Sequence, residues 1–551
     1  MFVFAWGSYY ATTQTPQFLQ NLSENTNIRN TKQEVPNPTF ERYLYNLIKF
    51  KNSTIVPFKI KTMLSTNKIE LLLNSEFPCY PRKSSVESAY FNCSLKAPAC
   101  PDNDRKPVDI VVVLDRSGSM GGSKLDLCKK TIQFLMEELS AFDRLGLVTY
   151  DTRVKTEFPL MKMDEQGKEK VESILKNIRA GSATNLSGGL LAGIQEVQKP
   201  TRKDQSQPNP VRSVLMLTDG LANAGVTSTS GVVDMMKGLL QPDVSVFTFG
   251  YGSDHNADML RELSEVGSGV YYFVQNVDGV SLAFADCLGG LLSVVAQNIK
   301  LECFAKNGCK IRSIKTRKTT NTIVPEAHYE IEMGDLYGEE ERDILIEVFI
   351  PELPSEEKEF FALECCLNYA NVLDSSLDKL EVSATIQRLD EVPADQEPDN
   401  HISIQRNRII AAEALEKASA EAEKGSLNEG QRLLHDAFSQ MKNMSANLKS
   451  KQAMEATAAM MDDINECKNT LGSYQEYNAR GRMRMKAKVQ THWLQRSNDV
   501  ELDQDKLMEA AAEPSAGGCA IDAVQGYRSS YKTRMLKKAV AFSKNNKKSD
   551  N

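Results

Sequence analysis

The sequence predicts a doubly wound α/β unit with a parallel sheet, inserted in an all-β sandwich and followed by a helical region. Three observations predict it. Between residues 107 and 297, short apolar runs such as Val108–Leu114, Gly146–Tyr150, Val211–Leu217 and Val244–Gly250 alternate with amphipathic stretches. Runs that are apolar throughout signal strands covered on both faces, and alternation with helices signals parallel pairing. On either side of this unit, at 55–106 and 298–392, the pattern is strand-like and punctuated by Pro and Gly, and beyond residue 400 it becomes rich in Ala, Glu and Leu.

Residues 1–54 are polar, with turn formers at Pro36-Asn37-Pro38, and read as a loosely ordered segment with a short helix near 43–50. Ile69–Leu73 and Tyr90–Leu95 read as strands, too few to stand alone, so they are expected to join the later β unit. In the α/β unit, Lys124–Leu139 places Leu127, Thr131, Phe134, Leu135 and Leu139 near one helical face; Lys168–Ile178 and Leu186–Val197 behave similarly. Strands follow at Ile299–Phe304, Ile311–Lys315, Tyr329–Met333, Asp343–Ile350, Phe360–Tyr369 and Leu380–Gln387. Ile402–Lys424 and Leu427–Met444, parted by Gly425-Ser426, predict a helical hairpin within a helical region at 401–470. The remainder, 471–551, is read as a mostly irregular basic tail. Its Arg480-to-Lys488 alternation of cations with Met483 and Met485 is read as a solvated strand or irregular surface.

The chain has 551 residues, with 66 Lys+Arg against 73 Asp+Glu, a net charge of −7. Such mild acidity speaks against nucleic acid as the main partner, because neutralising phosphates needs a basic surface. No apolar run reaches the roughly 18–20 residues that cross a bilayer, and the apolar start at Met1–Gly7 is too short for a signal core, so a cytoplasmic protein is expected. Eleven scattered cysteines include no CxxC pair, and five histidines lie far apart. Buried, reduced thiols are expected, and zinc is not.

The chemistry concentrates where strands end. Val111–Asp115 runs into Arg116-Ser117-Gly118-Ser119, so one carboxylate and two hydroxyls leave the same strand end. Thr184 precedes a helix in Ala180–Leu186, and Asp219 closes the strand Val214–Thr218. In an open parallel sheet, ligands gather at these carboxyl ends. Asp115, Ser117, Ser119, Thr184 and Asp219 are all hard oxygen donors, suited to Mg²⁺ (or Ca²⁺ or Mn²⁺) in a site that keeps some water. Hydroxyls leave such an ion underneutralised, so it can accept a carboxylate from another molecule. This favours capture of an acidic side chain over bond breaking.

With these residues in place, 107–297 resembles a von Willebrand factor type A domain, a Rossmann-like fold. Asp115, Ser117, Ser119, Thr184 and Asp219 match all five positions of that family's metal-ion-dependent adhesion site. Arg116 departs from the small or hydrophobic residues often found at its position. Arg116, Asn185 and Gly220 are the candidates for the ligand face. Pro81–Ser85, Leu95–Pro98, Gln405–Arg408 with Ala411–Ala414, and Trp493–Arg496 extend the resemblance to a plant-type family of von Willebrand A proteins with a trailing helical region. Some members carry a RING finger and act as ubiquitin ligases. Residues 1–70 contain no cysteine, whereas a RING needs eight Cys/His ligands for two zinc ions, so the resemblance implies the partner-binding body without ligase activity.

Enzyme signatures fail at the same residues. Ser117 stands where a haloacid-dehalogenase-type phosphate-transfer site has its second Asp. The P-loop pattern is not met at Ser123-Lys124-Leu125, and Ser117 displaces the first glycine of a GxSxG elbow. The expectation is a non-enzymatic binder of a protein offering an Asp or Glu, with no catalytic residue, nucleotide or zinc. The alternative is a RING-less component of ubiquitin-ligase assemblies that binds substrates or ubiquitination machinery. A metal-dependent hydrolase is the third reading.

Overall fold

The computed structural model describes residues 67–199, 207–252, 255–274, 279–445, 448–496 and 529–549. The readings of 1–54, including the helix near 43–50, lie outside the described residues. Three strands open the described chain: β1 (Glu70–Ser75), β2 (Cys79–Pro81) and β3 (Val86–Lys96). The α/β unit then runs β4 (Val108–Asp115), α1 (Ser123–Glu138), β5 (Arg144–Tyr150), β6 (Val154–Lys162), α2 (Glu165–Leu175), α3 (Leu186–Gln198), β7 (Val211–Thr218), α4 (Thr229–Lys237), β8 (Val244–Tyr251), α5 (Ala257–Val266), β9 (Ser268–Val274) and α6 (Gly279–Leu291).

Its six strands lie in the order β6-β5-β4-β7-β8-β9, parallel except for the antiparallel edge β6. Every residue of β4 is buried, for a reason visible in its alternation. Val108, Ile110, Val112 and Leu114 face the layer of α1, α2 and α6, while Val111 and Val113 face α3, α4 and α5. Helix α3 lies unusually close to the sheet. A Cβ on Gly193 would come within 2.3 Å of Val113, and one on Gly189 within 2.4 Å of Tyr150. The chain leaves β4 toward β5 on one side and returns to β7 on the other. The loops after β4 and β7 therefore flank the switch point of the sheet.

Seven further strands follow: β10 (Val294–Ala305), β11 (Lys310–Lys315), β12 (Thr320–Val324), β13 (His328–Tyr337), β14 (Glu341–Ile350), β15 (Glu357–Asn371) and β16 (Ser376–Leu389). They complete two sheets, β1-β3-β14-β11 and β12-β13-β10-β15-β16-β2, packed about a core that includes Phe91, Cys93, Leu301, Cys303, Ile346 and Cys365. The N-terminal strands do enter this sandwich, with β3 beside β14 and β2 beside β16, so the α/β unit is an insertion within it. Strand β12 was not foreseen; all five of its residues are exposed, so no apolar face marks it in the sequence.

The helical region comprises α7 (Asn400–Glu423), α8 (Leu427–Ser445), α9 (Lys451–Thr470), α10 (Arg482–Leu494) and α11 (Ser530–Ser549). Asp399 caps α7, accepting from Ile402 N at 2.9 Å. Where the tail is described, helices α10 and α11 stand in place of the irregular structure expected for 471–551, and 497–528 lie outside the described residues. Met483, Met485 and Val489 of α10 are buried, and so are its cations Lys486 and Lys488. Lys486 pairs with Asp258 and Glu423, and Lys488 pairs with Asp463 at 2.8 Å. The run that alternates like a solvated strand is a helix whose charges are answered on every side. No helix among the described residues is long and apolar enough to cross a membrane. The ten described cysteines are free, and all but Cys100 are buried.

Candidate metal and ligand face

Asp115 ends β4 with its carboxylate out of solvent. Its Oδ1 accepts from Ser117 N at 2.8 Å, and its Oδ2 accepts from Thr218 Oγ1, on the neighbouring strand, at 2.6 Å. The loop folds so that Ser117 Oγ and Ser119 Oγ lie 3.1 Å apart, and Ser119 Oγ donates to Asp219 Oδ1 at 2.8 Å. Thr184 arrives from the start of α3. A Cβ placed on Gly220 would lie 3.4 Å from Thr184 Oγ1 and 3.5 Å from Ser119 Oγ, so both hydroxyls border the same point. The five oxygen-bearing residues read from the sequence thus converge from three loops. Asp115, Ser117, Thr184 and Asp219 are buried, while Ser119 is exposed at the mouth.

The loops are fastened to one another. Thr184 N donates to Asn223 Oδ1 at 2.7 Å, and Asn223 N returns a bond to Thr184 O at 3.1 Å. Val226 N donates to Ser187 Oγ at 2.9 Å. Burial pushes the Asp115 carboxyl above its usual range and the nearby Asp219 charge adds to this, while the Thr218 and Ser117 donors act the other way. Two buried carboxylates this close suit a cation. Among the described residues, the basic side chain paired with either is Lys124, in contact with Asp219 Oδ2. A hard-oxygen set around paired carboxylates fits a divalent ion of the Mg²⁺ type.

The three ligand-face candidates fare differently. Arg116 is held by Asp151, Nη2 to Oδ2 at 2.9 Å, and also donates to Arg179 O, so its charge is largely answered within the chain. Asn185 caps α3, its Oδ1 accepting from Gly188 N at 3.1 Å. Gly220 borders the two hydroxyls directly. Thr218, Asn223, Lys124 and Asp151 were not picked out by sequence reasoning. Lys124 did carry a signal, since a cation in the first turn of a helix opposes the helix dipole.

A second acid and histidine group, Glu341, Asp343 and His401, lies where the sandwich meets α7. Asp343 Oδ1 accepts from Asn92 Nδ2 (2.7 Å), Ser94 Oγ (2.5 Å) and His401 Nε2 (2.7 Å), and Oδ2 accepts from Gln405 Nε2 (2.8 Å). With three donors on Oδ1 and one on Oδ2, Asp343 braces two elements, and His401 Nε2 is engaged with it rather than turned to an ion.

The sequence model of the von Willebrand factor type A domain matches residues 109–285, the span that carries this convergence. The inserted unit is a von Willebrand factor type A domain. Over 253 residues the chain is 31% identical to the E3 ubiquitin-protein ligase WAV3 of Arabidopsis thaliana, covering 45% of this chain and 32% of that protein. It is 28% identical over 198 residues to inter-alpha-trypsin inhibitor heavy chain H3 of Rattus norvegicus, covering 36% and 22%. The chain therefore spans a third or less of these relatives' lengths. In fold it resembles a von Willebrand factor type A protein from Catenulispora acidiphila, with a TM-score of 0.54 at 14% identity over 70% of this chain and 89% of that one. The ArnB paralog VWA2 from Sulfolobus acidocaldarius gives a TM-score of 0.50 at 15% identity, covering 77% and 99%. In both, the similarity reaches well beyond the von Willebrand A domain itself.

Proposed function

We propose that the chain is a protein-interaction module whose von Willebrand A domain captures an Asp or Glu of a partner protein through a divalent ion, Mg²⁺ in the first instance. The observation that carries this reading is the convergence of Asp115, Ser117, Ser119, Thr184 and Asp219 on one mouth at the switch point of the sheet. Asp115 and Asp219 would supply negative charge to the ion, the three hydroxyls would supply neutral oxygens, and the partner's carboxylate would complete the set. Binding is favoured over turnover because Ser119's hydroxyl is given to a carboxylate and Ser117's pairs with Ser119, which leaves neither serine a strong base. The free thiols suit a reducing compartment such as the cytoplasm.

Similarity to a ubiquitin-protein ligase over 45% of the chain supports a second, compatible reading, in which the captured partner belongs to ubiquitination machinery or is its substrate. Affinity capture from lysate tests both readings. It compares wild type in Mg²⁺, wild type in EDTA, and the Asp115→Ala/Asp219→Ala double variant with its fold verified by circular dichroism. A partner set lost in both EDTA and the variant is expected, and ubiquitin machinery within that set would favour the second reading. Identical partners in all three samples would show that the metal face takes no part in capture.

A further inference from the structure

Both oxygens of Asp219 are engaged by the chain itself: Oδ1 by the Ser119 hydroxyl at 2.8 Å, and Oδ2 by the ammonium of Lys124. The two ends of that ion pair differ. The Asp219 side chain has no exposure, whereas that of Lys124 is 39% exposed, so its stem has solvent to move into. Lys124 also occupies an electrostatically unfavourable place. It is the second residue of α1, where the aligned peptide dipoles amount to about half a positive charge. The N-cap Gly122 offers no side-chain acceptor to offset this. What keeps the ammonium at the head of α1 is therefore Asp219.

We propose that Lys124 is a built-in counter-cation for Asp219 that an incoming divalent ion must displace. Lys124 then sets the metal concentration at which the face becomes able to capture a carboxylate. The inference rests on the metal reading above and adds a residue outside the five donors. An ammonium and a divalent ion compete for one buried carboxylate, and a retained ammonium beside a divalent ion is repelled by it. Displacement is eased at the Lys124 end, because the helix dipole already opposes the charge there and the exposed stem can carry it to water.

The test is calorimetric titration of Mn²⁺ into the full chain as wild type, Lys124→Met, Lys124→Arg and Lys129→Met. Methionine keeps the unbranched stem without the charge, and arginine restores the charge. Lys129→Met removes a charge from the same helix, where its partner is Asp126. The expected result is binding about tenfold tighter in Lys124→Met, with Lys124→Arg and Lys129→Met near wild type. Thermal melts give an independent reading. In chelator Lys124→Met should melt lower than wild type, and saturating Mn²⁺ should raise its melting point by more. Affinity in Lys124→Met equal to or weaker than that of wild type would overturn the inference while leaving the metal reading intact. Absence of saturable Mn²⁺ binding in every protein, Lys124→Met included, would overturn the metal reading itself.

Discussion

Asp115 shows how a single residue's role is set by neighbours far away in sequence. Its Oδ2 takes the hydroxyl of Thr218, 103 residues away, and the contact of Asp219 with Lys124 spans 95. Replacing Thr218 by valine keeps the shape of the side chain but leaves a buried acceptor unanswered. The expected cost is about 1–3 kcal/mol of folding stability, read as a lower midpoint in urea at constant slope. An unchanged midpoint would show that water or another donor takes the hydroxyl's place. The convergence of the five oxygen-bearing residues was legible in the sequence because each lies near the end of a strand or the start of a helix, where local pattern places it. Their supports were not, because Thr218, Asn223 and Lys124 find their partners only once β4, β7 and α3 are side by side. Arg116 shows the reverse. Its charge stands out in the sequence, yet Asp151, 35 positions on in the numbering, answers it in the fold.

The junction of β3, β14 and α7 turns on one buried carboxylate. Burial alone would push Asp343 up and His401 down. Their mutual bond, with Ser94 and Asn92 aiding Asp343, outweighs this and leaves Asp343 below its usual range and His401 above its own. The signs then fix a window. The His401 contribution is full below the ordinary histidine value of about 6.5 and fades as pH rises through the raised folded value. The Asp343 contribution is full above about 4 and fades as pH falls through the depressed one. The stability gap between wild type and His401→Gln is therefore expected to be largest between about pH 4 and 6.5 and to shrink above neutrality. Denaturant melts across pH 4–9 check this, and a gap independent of pH would show that the pair is not charged in the fold. Elements with an apolar period were legible: β4, α1 and the α7–α8 hairpin fall close to where the pattern sets them. Those without one were not. Strand β12 is exposed throughout, and α10 hides its buried face among cations whose partners lie on α5, α7 and α9.

Among the described residues, the sandwich and the von Willebrand A domain are tied together by the last two helices. Gln490 of α10 accepts from Tyr271 N at the edge strand β9 of the von Willebrand A sheet and donates to Ser264 at 3.0 Å. Two residues beyond α10, Arg496 reaches the sandwich through Glu340 at 2.8 Å. Helix α11 packs Met535, Leu536, Ala539 and Val540 into the core of the layer containing α1 and α6, with Phe542 against Phe134. Its Lys532 meets Asp286 of α6 at 2.8 Å, both nearly fully buried, and Gly289 leaves room for this close approach. Lys532→Ala should strand a buried carboxylate that, among the described residues, keeps the Tyr272 hydroxyl, at a cost of about 3 kcal/mol in denaturant melts. A change below about 0.5 kcal/mol would mean that α11 rests on the domain without supporting it. The insertion of the α/β unit was legible at this scale because two early strands cannot stand alone. The packing of α11 against the von Willebrand A domain was not, because nothing in a basic, Lys-rich stretch says which carboxylate it will meet.

Asp115 and Asp219 are the residues proposed to hold a divalent ion. Depletion of free Mn²⁺, followed by electron paramagnetic resonance, on titration with the full chain as wild type and as the Asp115→Asn/Asp219→Asn variant measures this binding without a partner protein. Saturable binding of one Mn²⁺ per wild-type chain is expected, with at least a tenfold loss of affinity in a folded variant. Binding that survives in the variant, or its absence from wild type, would contradict it.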